Sequence, residues 1–137
     1  FFKYVSVFNF SAPPPPPPTT VIMKFFSNLF GTNKPQNEAI TILDKPSFKL
    51  AINDNKAQLV DVRTSIEFSG GHIPNAINID FFNHKSFVKA FEYLNKEEPV
   101  FLYCRSGKRS QNAAQKLLSL GFKQIFDLQG GYMNWNQ

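Results

Sequence analysis

The residues best suited to chemistry lie in one short segment around the single cysteine of this 137-residue chain. Cys104 ends an apolar run, and a small loop leads from it into a helical pattern. The loop residues are Arg105, Ser106, Gly107, Lys108 and Arg109. A helix that starts after such a loop presents free backbone N–H groups and the positive end of its dipole, which stabilise a thiolate and bind anions. The segment therefore predicts a nucleophilic Cys104 beneath an anion-binding loop.

The ordinary alternative for a lone cysteine is an inert, buried apolar side chain. The loop composition weighs against that alternative, because Arg105, Lys108 and Arg109 lie within five positions of Cys104 and would attract an anion. An inert cysteine needs no such neighbours. With one cysteine in this sequence, an internal disulfide and a multi-cysteine metal site are both excluded.

Apolar, β-branched runs alternate with helical patterns from Ala39 onward, which is typical of βαβ units around a parallel sheet. The predicted strands are Ile40–Leu43, Leu59–Val62, Ala76–Ile79, Val100–Tyr103 and Ile125–Leu128. The predicted helices are Ser47–Asn53, Ser65–Ser69, His84–Leu94 and Lys108–Leu120, with a short one near Tyr132. We expect an α/β domain over residues 39–137, with a central, mainly parallel five-stranded sheet and helices on both faces.

The helix after Cys104 has the clearest pattern. Ala113, Leu117 and their neighbours at spacings of three and four form one apolar stripe, which predicts a core-facing side. Gly121 would end the helix in a left-handed conformation and let Phe122 fold back on the stripe.

Residues 1–38 differ in composition from the rest of the chain. An uninterrupted proline run, Pro13–Pro18, favours polyproline II and cannot pack into a core. We expect residues 1–38 to form a flexible N-terminal extension, with Met23 as a possible natural start. The formal net charge of +5 indicates a basic surface rather than nucleic-acid binding, because the basic residues are scattered. No apolar run is long enough to cross a membrane, so we expect a cytoplasmic protein, with export as the alternative.

Three segments together resemble a known family. Cys104-Arg105-Ser106-Gly107-Lys108-Arg109-Ser110 is similar to the active-site loop of rhodanese domains, of the single-domain thiosulfate sulfurtransferase type. The upstream segments that agree are Asp61-Val62-Arg63, Glu67-Phe68 and residues 71–79, and the downstream ones are residues 128–132 and Trp135. Asn75 stands where the family usually has Gly, but Asn also tolerates a left-handed turn.

The resemblance implies a rhodanese-like fold and a sulfurtransferase mechanism without metal or organic cofactor. Cys104 would take a sulfane sulfur from thiosulfate or a persulfide donor, and the amides of the loop would hold the resulting persulfide. Arg105, Lys108 and Arg109 would orient the anionic donor. The sulfur would then pass to an external acceptor, namely cyanide or a thiol, including a thiol-bearing protein.

Three other functions stay open at this stage. Related phosphatases have a loop that reads Cys, five residues, Arg, whereas here Ser110 holds that position and Arg109 comes one residue early. The shorter loop favours sulfur transfer. Arsenate reduction would require an external thiol, since no second cysteine is present. The domain could also be a sulfur carrier without turnover, or a protein-binding module.

Polar residues upstream of the loop are harder to assign. Asp61, Arg63, Glu67 and His72 lie at predicted strand ends and turns, where an ion pair or a capping network is the ordinary explanation, although His72 could in principle act as a base. We expect them to support the site rather than to react. Gly130 and Gly131 indicate a close approach of the backbone to the loop.

Overall fold

The computed structural model describes residues 39–54 and 56–137, and the predicted extension over residues 1–38 lies outside the described residues. Its strands are β1 (Ile40–Leu43), β2 (Gln58–Asp61), β3 (Ile77–Asn78), β4 (Val100–Tyr103) and β5 (Ile125–Leu128). They form one sheet in the order β1-β5-β4-β2-β3, and every neighbouring pair is parallel. The predicted α/β fold with a five-stranded parallel sheet is confirmed.

The helices in the described residues are α1 (Lys45–Ala51), α2 (Ser65–Ser69), α3 (His84–Phe91), α4 (Lys108–Ser119) and α5 (Gly131–Trp135). The prediction for α1 began two residues late, because the Asp44 side chain accepts a hydrogen bond from the Ser47 N–H at 2.9 Å and caps the helix earlier. The prediction for β3 was twice too long, since only Ile77 and Asn78 pair with β2. None of the described helices combines the length and apolar character needed to cross a bilayer.

Core side chains cover both faces of the sheet. On one face, Phe87 and Phe91 of α3 and the buried stripe of α4 pack into one cluster with Leu102 and Ile125. On the other face, Phe48 of α1 meets Phe101 edge to face, with ring centroids 5.7 Å apart. Helices therefore lie on both faces, as the sequence predicted.

The end of α4 follows its sequence pattern. Gly121 has a φ of 96°, and the N–H groups of Gly121 and Phe122 donate to the carbonyls of Leu118 and Leu117 at 3.1 Å each. Phe122 is buried in the cluster described above. This arrangement, a Schellman motif, fixes the far end of the helix whose start carries the candidate site.

Candidate active site around Cys104

Cys104 directly follows β4, at the carboxyl edge of the sheet, where open α/β folds place their ligands. Its side chain is free and only 1% exposed. The Gly107 N–H donates to the Cys104 sulfur at 3.0 Å, and the Ser110 hydroxyl lies 3.4 Å from the same atom. Gly107 has a φ of 110°, a conformation that side chains disfavour, so glycine is what allows this turn into α4. The sulfur thus lies at the start of a twelve-residue helix.

The loop cations differ in their surroundings. Arg105 and Lys108 are exposed, as is Ser106. Arg109 is half-buried and donates two hydrogen bonds to the carboxylate of Glu67, both at 2.8 Å. These bonds lower the pKa of Glu67 to about 2, against an opposing effect of burial, and they raise the pKa of Arg109. Arg105 and Lys108 are therefore the loop cations with charge to spare for a ligand.

Glu67 has a second role at the start of α2. Its carboxylate accepts hydrogen bonds from the N–H and hydroxyl of Thr64 at 3.0 Å each, and the Thr64 hydroxyl accepts from the Glu67 N–H at 3.3 Å. This reciprocal arrangement is a capping box. One carboxylate thus fixes the start of α2 and ties it to Arg109 in the Cys104 loop, which is the capping network that the sequence predicted for Glu67.

Asp61 and Arg63 form a buried ion pair. The Arg63 Nη2 lies 2.7 Å from Asp61 Oδ2 and 2.7 Å from the carbonyl of Gly71. The guanidinium also lies over the Tyr132 ring, 4.3 Å from its centroid. Because its donors are satisfied by Asp61 and by the turn that follows α2, Arg63 holds that turn in place. This too is the structural role that the sequence predicted.

His72 is exposed and engaged within its own segment. Its ring stacks on Phe68 with centroids 3.7 Å apart, and its Nδ1 lies 3.0 Å from the Phe68 carbonyl. No printed contact joins it to the Cys104 loop in the described residues. Asn75, three residues later, has a φ of 69°, the left-handed turn expected from its residue type.

The start of α5 closes over the back of the loop. The Tyr132 N–H donates to the Cys104 carbonyl at 2.8 Å, and the Met133 N–H donates to the Arg105 carbonyl at 3.0 Å. A Cβ on Gly131 would lie 2.5 Å from the Cys104 carbonyl oxygen and 2.6 Å from that of Arg105. The close approach predicted from Gly130 and Gly131 is confirmed at Gly131, where no larger residue fits.

An open cavity of about 350 Å³ lies beside the loop. It is lined by Arg63, Glu67, Arg105, Tyr132, Met133 and Asn136. Within residues 39–54 and 56–137, no group of three His, Cys, Asp or Glu side chains could hold a metal ion. The cavity offers room for an anionic donor or an acceptor next to the exposed guanidinium of Arg105.

Two polar residues of this region were missed by the sequence analysis, Ser110 and Asp127. Both are completely buried. Ser110 was noted only as a departure from the phosphatase loop. Asp127 interrupts the otherwise apolar strand Ile125–Leu128, and a charged residue inside a strand buried on both faces is the signal that could have identified it.

Comparisons with known proteins identify the family of this domain. The sequence pattern of the rhodanese-like domain matches residues 44–137. An uncharacterized protein of Bacillus subtilis, YqhL, is 42% identical over 80 residues, which cover 58% of this chain and 61% of YqhL. Thiosulfate sulfurtransferase GlpE of Pseudomonas fluorescens is 33% identical over 90 residues, which cover 66% of this chain and 80% of GlpE.

Other relatives are longer. The tRNA uridine(34) hydroxylase of Pelagibacter ubique is 30% identical over 108 residues, but this chain spans only 35% of it. Among solved structures, the human single-domain sulfurtransferase TSTD1 superposes with a TM-score of 0.60 at 26% identity, covering 69% of this chain and 94% of TSTD1. From the family pattern, the relatives and the fold, the chain belongs to the rhodanese-like domain family.

Proposed function

We propose that this domain is a sulfurtransferase in which Cys104 carries a sulfane sulfur as a persulfide. The observation that carries the proposal is the position of the Cys104 sulfur, which accepts the Gly107 N–H at 3.0 Å at the start of α4. A backbone donor and a helix N-terminus both favour a thiolate over a thiol. The relatives named as sulfurtransferases support the same reaction class.

The first half-reaction takes sulfur from an anionic donor such as thiosulfate. The Cys104 thiolate attacks the outer sulfur, a new S–S bond forms, and the S–S bond of thiosulfate breaks as sulfite leaves with the bonding electron pair. Arg105 and Lys108 are exposed beside the sulfur and would attract the dianion. The Arg109 guanidinium, held by Glu67, would contribute from the side of the loop.

The second half-reaction returns Cys104 to its thiolate form. A nucleophilic acceptor, cyanide or an external thiolate, attacks the terminal sulfur of the persulfide, and the bond to Cys104 breaks. Because the sequence contains one cysteine, the sulfur cannot pass to another thiol of this chain. Loop donors such as the Gly107 N–H would stabilise the negative charge throughout the cycle.

A sulfur carrier that serves a protein acceptor is the second candidate, and the surface beside the loop favours it. Phe82 is 60% exposed although it packs under Arg109, with the guanidinium 5.3 Å from its ring centroid, and Met133 at the cavity is 51% exposed. Exposed apolar side chains around a reactive group suit contact with a macromolecule. Such a carrier would accept sulfur readily but release it slowly to cyanide.

The test is turnover with thiosulfate and cyanide, followed by thiocyanate release, with Cys104→Ser as the matched control. Sustained thiocyanate release by the wild type alone supports the sulfurtransferase. Sulfur uptake without release supports the carrier. Hydrolysis of an aryl phosphate that depends on Cys104, without any sulfur uptake, would replace the proposal with a phosphatase.

A further inference from the structure

A buried carboxyl group beneath the Cys104 loop takes no part in the steps described so far. Asp127 lies on β5 with an exposed fraction of 0%, and neither of its carboxylate oxygens accepts a hydrogen bond from the described residues. Burial of an ionised, unpaired carboxylate is strongly unfavourable. The group therefore needs either a proton or a function that justifies its cost.

The strand geometry directs this carboxyl toward the active loop. Side chains two residues apart on a strand share a face, so Asp127 points to the same side as Ile125. Ile125 packs in one cluster with Ala113 and Leu117 of α4. Asp127 is two residues closer to the carboxyl edge of the sheet, where α4 begins, and it meets the first turn of that helix at Ser110.

Ser110 connects this carboxyl to the nucleophile. Its hydroxyl lies 3.4 Å from the Cys104 sulfur and 3.1 Å from the Gly107 carbonyl oxygen. A hydroxyl has one proton to donate and can accept through its lone pairs at the same time. The sulfur, the carbonyl and the carboxyl of Asp127 therefore compete for a single donor, and the protonation state of Asp127 decides the competition.

We propose that Asp127 is a positioning residue for Cys104: its protonated carboxyl donates to the Ser110 hydroxyl, which in turn donates to the Cys104 sulfur. When Asp127 loses its proton, its carboxylate becomes the strongest acceptor near Ser110 and draws the hydroxyl away from the sulfur. The sulfur then loses a donor and gains a negative neighbour. This inference rests on the proposed role of Cys104 as the nucleophile.

The electrostatic setting is consistent with a protonated Asp127. Burial raises the pKa of Asp127 to about 7, against smaller lowering effects of the nearby Ser110 hydroxyl and the Leu128 backbone N–H. On the packed elements, β1 carries no charged side chain. The cationic side chains of α4 are Lys108, Arg109 and Lys116; the two lysines are exposed, and the arginine is paired with Glu67. Cys104, at the end of β4, is the ionisable group that Ser110 links to Asp127.

The test is the pH profile of Cys104 alkylation by iodoacetamide from about pH 5 to about pH 9. The single cysteine makes the rate specific for this site. We expect two steps in the wild type, because two linked ionisations titrate as a pair. Asp127→Asn keeps a donor for Ser110 and cannot ionise, so its profile should show one step at lower pH, with roughly three- to tenfold more thiolate at about pH 7.

Two further variants separate positioning from a general effect on the fold. In Ser110→Ala, the connection is lost, and adding Asp127→Asn should then shift the profile by less than half as much. Asp54→Asn, an exposed turn residue that accepts a backbone N–H, is the matched control and should leave both steps unchanged. Superimposable profiles of wild type and Asp127→Asn would overturn the inference, and so would an Asn shift that persists undiminished without the Ser110 hydroxyl.

Alkylation does not require sulfur transfer, so the outcome is separate from that of the proposed function. Uptake of sulfur from thiosulfate is measured on the same samples. If Cys104 takes up no sulfur but the two-step profile depends on Asp127 and Ser110, the proposed function fails and the positioning role stands. If sulfur is taken up and the profile has one step in both proteins, the reverse holds.

Discussion

The rim and the floor of the Cys104 site are held together by different kinds of contact. The rim consists of Arg105, Lys108 and the Arg109–Glu67 pair, whose charges are exposed or half-buried and reach solvent. The floor consists of Cys104, Ser110, Asp127 and Gly131, all buried. Water screens the rim, so each of its charges contributes little by itself. The floor has no water to compensate for a lost contact, and changes there should have larger effects.

The largest effect is expected at Gly131, behind the loop. Gly131→Ala places a methyl group 2.5 Å from the Cys104 carbonyl oxygen at a φ of 61°, so α5 must move away and give up its hydrogen bonds to the loop. We expect a loss of about 3 kcal/mol in the free energy of unfolding, measured by urea denaturation. The matched control is Gly121→Ala, which also has positive φ but meets only the Lys96 side chain at 3.8 Å. Equal losses in the two variants would contradict a special constraint at Gly131.

Asp127→Asn should show the next largest effect, in the pH dependence of stability. Because the pKa of Asp127 is raised from 3.8 to about 7, the folded protein keeps a proton that the unfolded chain releases, and stability falls as pH rises through this window. The variant lacks this loss. Its free energy of unfolding relative to wild type should increase by about 2 to 3 kcal/mol between about pH 5 and about pH 8. An unchanged difference would mean that Asp127 does not titrate in this range.

Glu67→Gln tests the junction between α2 and the loop. The pKa of Glu67 is lowered from 4.5 to about 2, chiefly by its hydrogen bonds to Arg109, so its contribution is complete above pH 4.5 and is lost as pH falls toward 2. Allowing for solvent screening, we expect the variant to lose about 1 kcal/mol at neutral pH and to be less sensitive to acid in that window. Acid unfolding that is the same in both proteins would contradict this account.

Arg105→Ala should have the smallest effect and only on substrate capture. Arg105 is exposed and lines the cavity, so its loss should raise the KM for thiosulfate roughly threefold at low salt with little change in kcat. The difference should shrink as salt is added. A large decrease in kcat would show instead that the rim takes part in the chemical step.

The rim was easier to predict from the sequence than the floor. The strand–loop–helix pattern around Cys104 and the cluster of basic residues are local in sequence, and the structure confirms their placement on one loop at the carboxyl edge of the sheet. The pairing of Arg109 with Glu67, 42 positions away, depends on how α2 packs, which local patterns do not encode. The roles of the loop cations toward a donor stay predictions.

The floor depends on contacts between distant segments. Asp127 reaches Ser110 only because β5 is placed beside β4 in the sheet, an order that alternation of strands and helices does not specify. Gly131 was an exception, because a pair of glycines before an aromatic residue indicates a close approach even without its partner. Buried polar residues in apolar strands are therefore the signal to look for in related sequences.

The account depends most directly on whether Cys104 takes up sulfur. The measurement is the intact mass of the protein after incubation with thiosulfate, followed by peptide mapping and by treatment with cyanide. We predict a gain of one sulfur atom per chain, located on the peptide that contains Cys104, absent from Cys104→Ser and removed by cyanide as thiocyanate. An unchanged mass in the wild type, with Cys104 still open to alkylation, would contradict the account.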